Sequence, residues 1–225
     1  MTKHGLFALV ILILTGCSGG LEQPPLELEV IQAGQDAFAQ RRASPPSDRP
    51  PLRRADLDVL DGSFLEITRE RADLLAYLYV NARRTDQFPG RIIVWRSEDD
   101  VTLATRNGVL IETRGMRGDL LSSTVRVAGN RPGPVSSGKH VQLIHSLDNR
   151  QVPLTLDCDL VDLGPEVIEI VERRHRTRHL QQRCQGGNGT VINDFWVESG
   201  AGIVWQSRQW AGPHIGYLRL RRLTR

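Results

Sequence analysis

Cysteine is scarce in this chain of 225 residues, with 3 in all, and no Cys-x-x-Cys occurs. A dithiol redox role therefore lacks its motif. Lysine is scarcer still: Lys3 and Lys139 are the only two, so 27 of the 29 basic residues are arginine. Guanidinium forks grip carboxylate and phosphate, so the excess fits anion recognition, although codon bias toward arginine accounts for it equally well. Gly-x-Ser-x-Gly, His-Glu-x-x-His and the Walker loop are all missing, which leaves the hydrolase, zinc-protease and phosphate-loop chemistries without their signatures. Charge of one sign is also lacking. The net charge is +3, or +2 once the first sixteen residues and Lys3 are set aside, so nucleic acid is not an expected partner. No apolar run is long. Leu6–Leu14 holds nine residues, and at ~1.5 Å per residue it falls far short of the ~30 Å bilayer core.

What remains is 40% hydrophobic and 24% charged, an ordinary globular balance for one core. The nine-residue run follows Lys3 and His4 and ends in Leu14-Thr15-Gly16-Cys17, the anatomy of a secretory signal closed by a bacterial lipobox. Residues 1–16 are expected to be removed and Cys17 to take the lipid. Ser18, rather than an aspartate, points to the outer membrane, and several acyl chains would give stable anchoring there. The expected location is lipid-anchored, on the periplasmic face. In that oxidising compartment the remaining pair, Cys158 and Cys184, reads as a disulfide. A metal site built from Cys184, His175 and His179 is the minor alternative, and no metal or other cofactor is expected.

Residues 17–58 divide into a tether over 18–25, an amphipathic helix over 26–42 and a proline-rich linker over 43–58 that carries no core. From 59 to 225 the period shortens to that of strands. Expected strands are Phe64–Arg69, Leu74–Val80 (where a helix also fits), Arg91–Trp95, Val101–Thr105, Val109–Thr113, His140–Ser146, Val152–Leu160, Val167–Glu172, Val191–Val197, Ile203–Ser207 and Tyr217–Leu223. Asn107-Gly108 marks a type I′ hairpin turn. Leu163-Gly164-Pro165 reads as another turn, Arg173–Gln185 as a polar solvated arm, and Gly186–Gly189 as a flexible loop. The fold expected is mainly β: one antiparallel meander.

Several segments together resemble the YjbF/GfcB lipoproteins of exopolysaccharide and group 4 capsule operons. They are Trp95-Arg-Ser, Thr105-Arg-Asn-Gly108, Thr113-Arg-Gly-Met-Arg-Gly-Asp-Leu120, Asn193-Asp-Phe-Trp-Val-Glu198 and Gly202-Ile-Val-Trp-Gln-Ser-Arg-Gln209, with the Cys158…Cys184 pair and the lipobox. The similarity spans most of residues 60–212 and departs at Met116, where leucine is usual, and at Ala201-Gly202. The resemblance implies a curved sheet of half-barrel form. It also implies a non-enzymatic accessory in assembly or export of surface polysaccharide, working beside outer-membrane export proteins. It transfers no catalytic residue.

Contact candidates follow from the same chemistry. Trp95 and Trp205 are indoles that could stack on sugar rings, although tryptophan on a strand is more often packed, and Trp196 and Trp205 could face each other across the last hairpin. Arg208 and the basic run Arg173, Arg174 and Arg176 are candidate grips for an acidic polysaccharide, strengthened at low pH if His175 and His179 protonate. Arg219, Arg221 and Arg225, alternating with leucines, suit an edge strand. The acids of Glu98-Asp99-Asp100 and Asp157/Asp159 read as turn and surface groups rather than a glycosidase pair. A rival reading is a half-barrel that carries a lipid or lipid-linked intermediate through the periplasm.

Overall fold

The computed structural model describes residues 52–187 and 189–225. Cys17 and the helix expected over 26–42 lie outside the described residues.

Twelve strands form one antiparallel sheet: β1 Phe64–Arg69, β2 Leu74–Arg84, β3 Ile92–Arg96, β4 Thr102–Arg106, β5 Val109–Arg114, β6 Leu120–Ser123, β7 Gly138–His145, β8 Gln151–Ile170, β9 Arg173–Gly186, β10 Gly189–Glu198, β11 Ile203–Trp210 and β12 Tyr217–Arg222. Their order is β5-β4-β3-β2-β1-β12-β11-β10-β9-β8-β7-β6. Each strand therefore lies beside its chain neighbour, with one exception: β5 and β6 sit at opposite edges. Laid flat, twelve strands at ~4.8 Å spacing would separate those edges by roughly 50 Å, while the six residue steps from Arg114 to Leu120 reach only about 20 Å. The sheet must curl until its edges meet, and it is nearly closed into a barrel.

Side chains stitch the seam. Asp119 accepts hydrogen bonds from Thr113 Oγ1 at 2.8 Å and from the amides of Gly115 at 3.0 Å and Met116 at 3.2 Å. Thr113 Oγ1 accepts from the Leu120 amide at 3.0 Å, and Arg114 donates to the Leu120 carbonyl at 3.4 Å. Gly118 holds a positive φ of 79°, and a Cβ there would lie 2.5 Å from that of His214; this turn needs glycine on both counts.

The barrel is filled. Leu65, Ile67, Leu78, Trp95, Leu103, Leu110, Leu120, Ile144, Leu218 and Leu220 form its main core. A second cluster lies around Trp205, where Ile168, Ile170, Leu223 and Leu57 pack together. Leu57 belongs to α1 (Arg54–Asp58), so the stretch expected to be a coreless linker supplies a buried residue and the one α-helix among the described residues. Arg54 fixes it: its guanidinium donates to the carbonyls of Ile170, Val171 and Leu223 at 2.9, 3.1 and 3.0 Å.

Three further expectations change. Leu163-Gly164-Pro165 is no turn; β8 runs through it with a register shift between Asp162 and Gly164, whose φ is +100°. A bulge there absorbs the glycine while the ladder continues. The Arg173–Gln185 arm is β9, paired with β8 on one side and with β10 along most of its length. Exposed Arg174, Arg176 and Arg178 alternate with buried His175 and Thr177, so the charges occupy one strand face. Finally, β12 is central, between β1 and β11, because Leu218 and Leu220 belong to the barrel core. Its Arg221 pairs with Glu66 at 2.9 Å. The Asn107-Gly108 turn has positive φ at both residues, 49° and 86°, as type I′ requires.

Candidate functional site

One end of the barrel holds a cavity of about 410 Å³. Its inner wall is apolar, from Leu65, Ile93, Trp95 and Leu220, and exposed Arg91 and Asn130 stand at its rim. Two turns frame it, Asn107-Gly108 and Ser199–Gly202. The first is anchored by Asn107, whose Nδ2 donates to the carbonyls of Gly129 and Arg131, each at 2.9 Å. At Gly108 a Cβ would fall 2.4 Å from the Val204 side chain, so the turn packs against β11 only as glycine. Arg222, at the end of β12, lays its guanidinium 4.9 Å from the Trp95 ring centroid, a cation–π distance.

The six contact candidates do not form one site. Trp95 lines this cavity at 2% exposure, its Nε1 donating to Thr105 Oγ1 at 3.2 Å. Trp205 is 1% exposed, closed over by the hairpin and α1; its ring lies 3.8 Å from that of His175 and its Nε1 donates to Glu198 at 2.6 Å. Sugar stacking at Trp205 thus gives way to packing. Arg208 is engaged by Glu70 at 2.9 Å and lies 3.5 Å above the Tyr217 ring. Arg173, Arg174 and Arg176 are exposed along β9, opposite Ile170, Glu169 and Val167 of β8.

The two histidines of that run are held in different ways. His175 is buried against Trp205, and desolvation, with Arg173 next, lowers its pKa. His179 stacks on Trp196 with centroids 4.5 Å apart and bonds Asp194 at 2.8 Å. Trp196 registers with Gln206, so the two tryptophans pair with histidines of β9 rather than across their hairpin. Cys158 and Cys184 register directly on β8 and β9 and form a disulfide, which removes Cys184 from any set with those histidines. Sequence reasoning gave no role to Arg222 or Asn130. Arg222 in particular was hidden in an arginine-rich tail where alternation alone assigns no direction.

These observations define a nearly closed antiparallel β-barrel with a packed interior and an arginine-bearing cavity at one end. The chain belongs to the family described as group 4 capsule polysaccharide lipoprotein GfcB, YjbF, whose model matches residues 33–223. Among solved structures, the crystal structure of the hypothetical lipoprotein YmcC from Escherichia coli (K12) is similar with a TM-score of 0.65 and 21% identity, over 91% of this chain and 97% of that one; at that identity the likeness speaks for the fold. No curated protein matches the chain.

Proposed function

We propose that the protein is a non-enzymatic accessory factor in assembly or export of capsule or exopolysaccharide. It acts at the periplasmic face of the outer membrane, held through lipid on Cys17 after removal of residues 1–16, beside outer-membrane export proteins. Membership of a capsule-lipoprotein family supports the process. The observation that carries the non-enzymatic reading is the use to which the signature segments are put. Thr105 holds the Trp95 indole, Asn107 the loop at Gly129–Arg131, and Asp119 the seam. Gln209 bonds the Leu110 amide at 2.8 Å and the Gly108 carbonyl at 2.9 Å. These polar side chains are spent on closing the barrel, whereas catalytic groups must be free to meet a substrate. The filled interior speaks for recognition at the barrel's end over carriage of an acyl chain within it.

The test is surface polysaccharide in a deletion strain complemented with the wild-type chain or with Cys17→Ala. Loss on deletion, restored by the wild type and not by Cys17→Ala, is the expected result. Unchanged polysaccharide while the locus is expressed overturns the proposal.

A further inference from the structure

Three arginines elsewhere in this barrel meet carboxylates, Arg106 with Asp86 at 2.6 Å, Arg208 with Glu70 at 2.9 Å and Arg221 with Glu66 at 2.9 Å, while Arg54 and Arg69 spend their guanidinium groups on main-chain carbonyls. The cavity end is different. Arg222 Nη2 and Arg83 Nη2 both donate to Ser63 Oγ, each at 3.2 Å, and the Ser63 hydroxyl donates in turn to the main-chain oxygen of Arg225 at 2.6 Å. One hydroxyl oxygen therefore gathers two guanidinium groups, and no Asp or Glu among the described residues pairs with either. Arg222 uses Nε on the Thr224 carbonyl at 2.9 Å, and Nη1 has no acceptor among the described residues. Arg91, on the same cavity's rim, bonds through its main-chain amide to Asn107 and not through its guanidinium.

Crowding like charges in a partly desolvated cleft is unfavourable unless an anion joins them. Burial, with Arg83 next, lowers the Arg222 pKa to about 10, so the group stays charged at neutral pH. Arg222 also has one guanidinium face against Trp95, which fixes the plane of its fork and pre-orients the free Nη1. The remaining wall is apolar, from Ile93, Leu65 and Leu220, a surface suited to the C–H face of a pyranose ring, and the cavity volume suits a ligand of one or two rings.

We propose that this cavity binds a sugar residue bearing a carboxylate, with Arg222 and Arg91 holding the acid and the apolar wall taking the ring. The choice of a saccharide rests on the polysaccharide role proposed above; the requirement for an anion rests on the arginines alone. The full lipidated chain in detergent micelles is titrated with glucuronate, glucose and inorganic phosphate, followed by tryptophan fluorescence and by saturation-transfer NMR of the sugar protons. Glucuronate is expected to bind on the order of tenfold more tightly than glucose, the discrimination of a charge-assisted hydrogen bond. Arg222→Gln and Arg91→Gln each remove most of that preference; Arg91→Gln breaks no protein contact of the guanidinium and serves where Arg222→Gln fails to fold. Arg150→Gln, on the turn between β7 and β8 and outside the cavity lining, leaves it intact.

Equal affinity for glucose and glucuronate, or full retention of the preference in Arg91→Gln, overturns the proposal. Tighter binding of phosphate than of glucuronate overturns the sugar assignment and makes the cavity a phosphate site. A polysaccharide defect on deletion together with no glucuronate binding defeats this inference alone. Binding without any polysaccharide defect defeats the accessory role alone.

Discussion

The side-chain amide of Gln209 on β11 reaches across the barrel to the backbone of β5, where its Oε1 accepts the Leu110 amide at 2.8 Å and its Nε2 donates to the Gly108 carbonyl at 2.9 Å. β5 is an edge strand, and here a residue from the far wall supplies partners that a thirteenth strand would otherwise give. Gln209→Ala strands a buried donor and acceptor and should cost about 1–3 kcal/mol. Equilibrium urea unfolding of the variant against wild type checks this, and an unchanged midpoint refutes it.

The disulfide closes the long β8–β9 hairpin, with its cysteines 26 residues apart. In the chain-entropy picture a loop of that size contributes about 3–4 kcal/mol by restricting the unfolded chain. The double variant Cys158→Ser/Cys184→Ser should lose stability of that order. Wild type unfolded under a thiol reductant should fall to a similar midpoint.

His140 on β7 is buried, bonded to Ser123, and desolvation pushes its pKa down to about 4. The unfolded chain, near 6.5, binds the proton first, so stability is full above that value and declines as pH falls from 6.5 toward 4. The decline attributable to this residue is about 3 kcal/mol, and His175, shifted the same way, adds to it. The carboxyls of Asp86, held by Arg106, and Asp148, held by Ser146 and Arg150, lie at about 2 and titrate below this window. His140→Gln should flatten the profile between pH 6.5 and 4 in urea midpoints; a profile as steep as wild type counts against the assignment.

Arg54 ties α1 to the β8–β9 turn through the Ile170 and Val171 carbonyls and to the chain after β12 through Leu223. That turn holds Val171 and Glu172 at φ of 44° and 62°, a conformation a β-branched residue adopts only under constraint. Arg54→Ala should release it. Amide exchange over 170–175 is expected to speed on the order of tenfold or more, with exchange in β3 and β4 unchanged. Uniform acceleration throughout the barrel would show instead that Arg54 supports global stability.

Strand content was readable in the sequence because alternation survives wherever one face is wet and the other packed. Tyr217–Arg222 and Gly189–Glu198 both carry that pattern. The hairpin at Asn107-Gly108 was readable for a different reason, since its residues tolerate positive φ. Errors arose where charge masked periodicity. Arg174, Arg176 and Arg178 look like a solvated arm until His175 and Thr177 are seen to be buried between them. Position within the sheet was not legible either: β12 carries the charges of an edge strand and lies in the middle, its Arg221 answered by Glu66. The arginine cluster beside the cavity was least accessible, because Ser63, Arg83 and Arg222 converge from three separate strands or strand ends, and no local pattern encodes their meeting.

The seam between β5 and β6 has a consequence for how copies of the chain treat one another. An open twelve-stranded sheet would present two rows of unanswered amides and carbonyls, each a template for a strand from a neighbouring molecule. With Thr113, Arg114 and Asp119 holding one edge against the other, each edge is the other's cover. Copies of the chain can then collide side by side without zipping together, and the five residues that turn between β5 and β6 act as the clasp that keeps them apart.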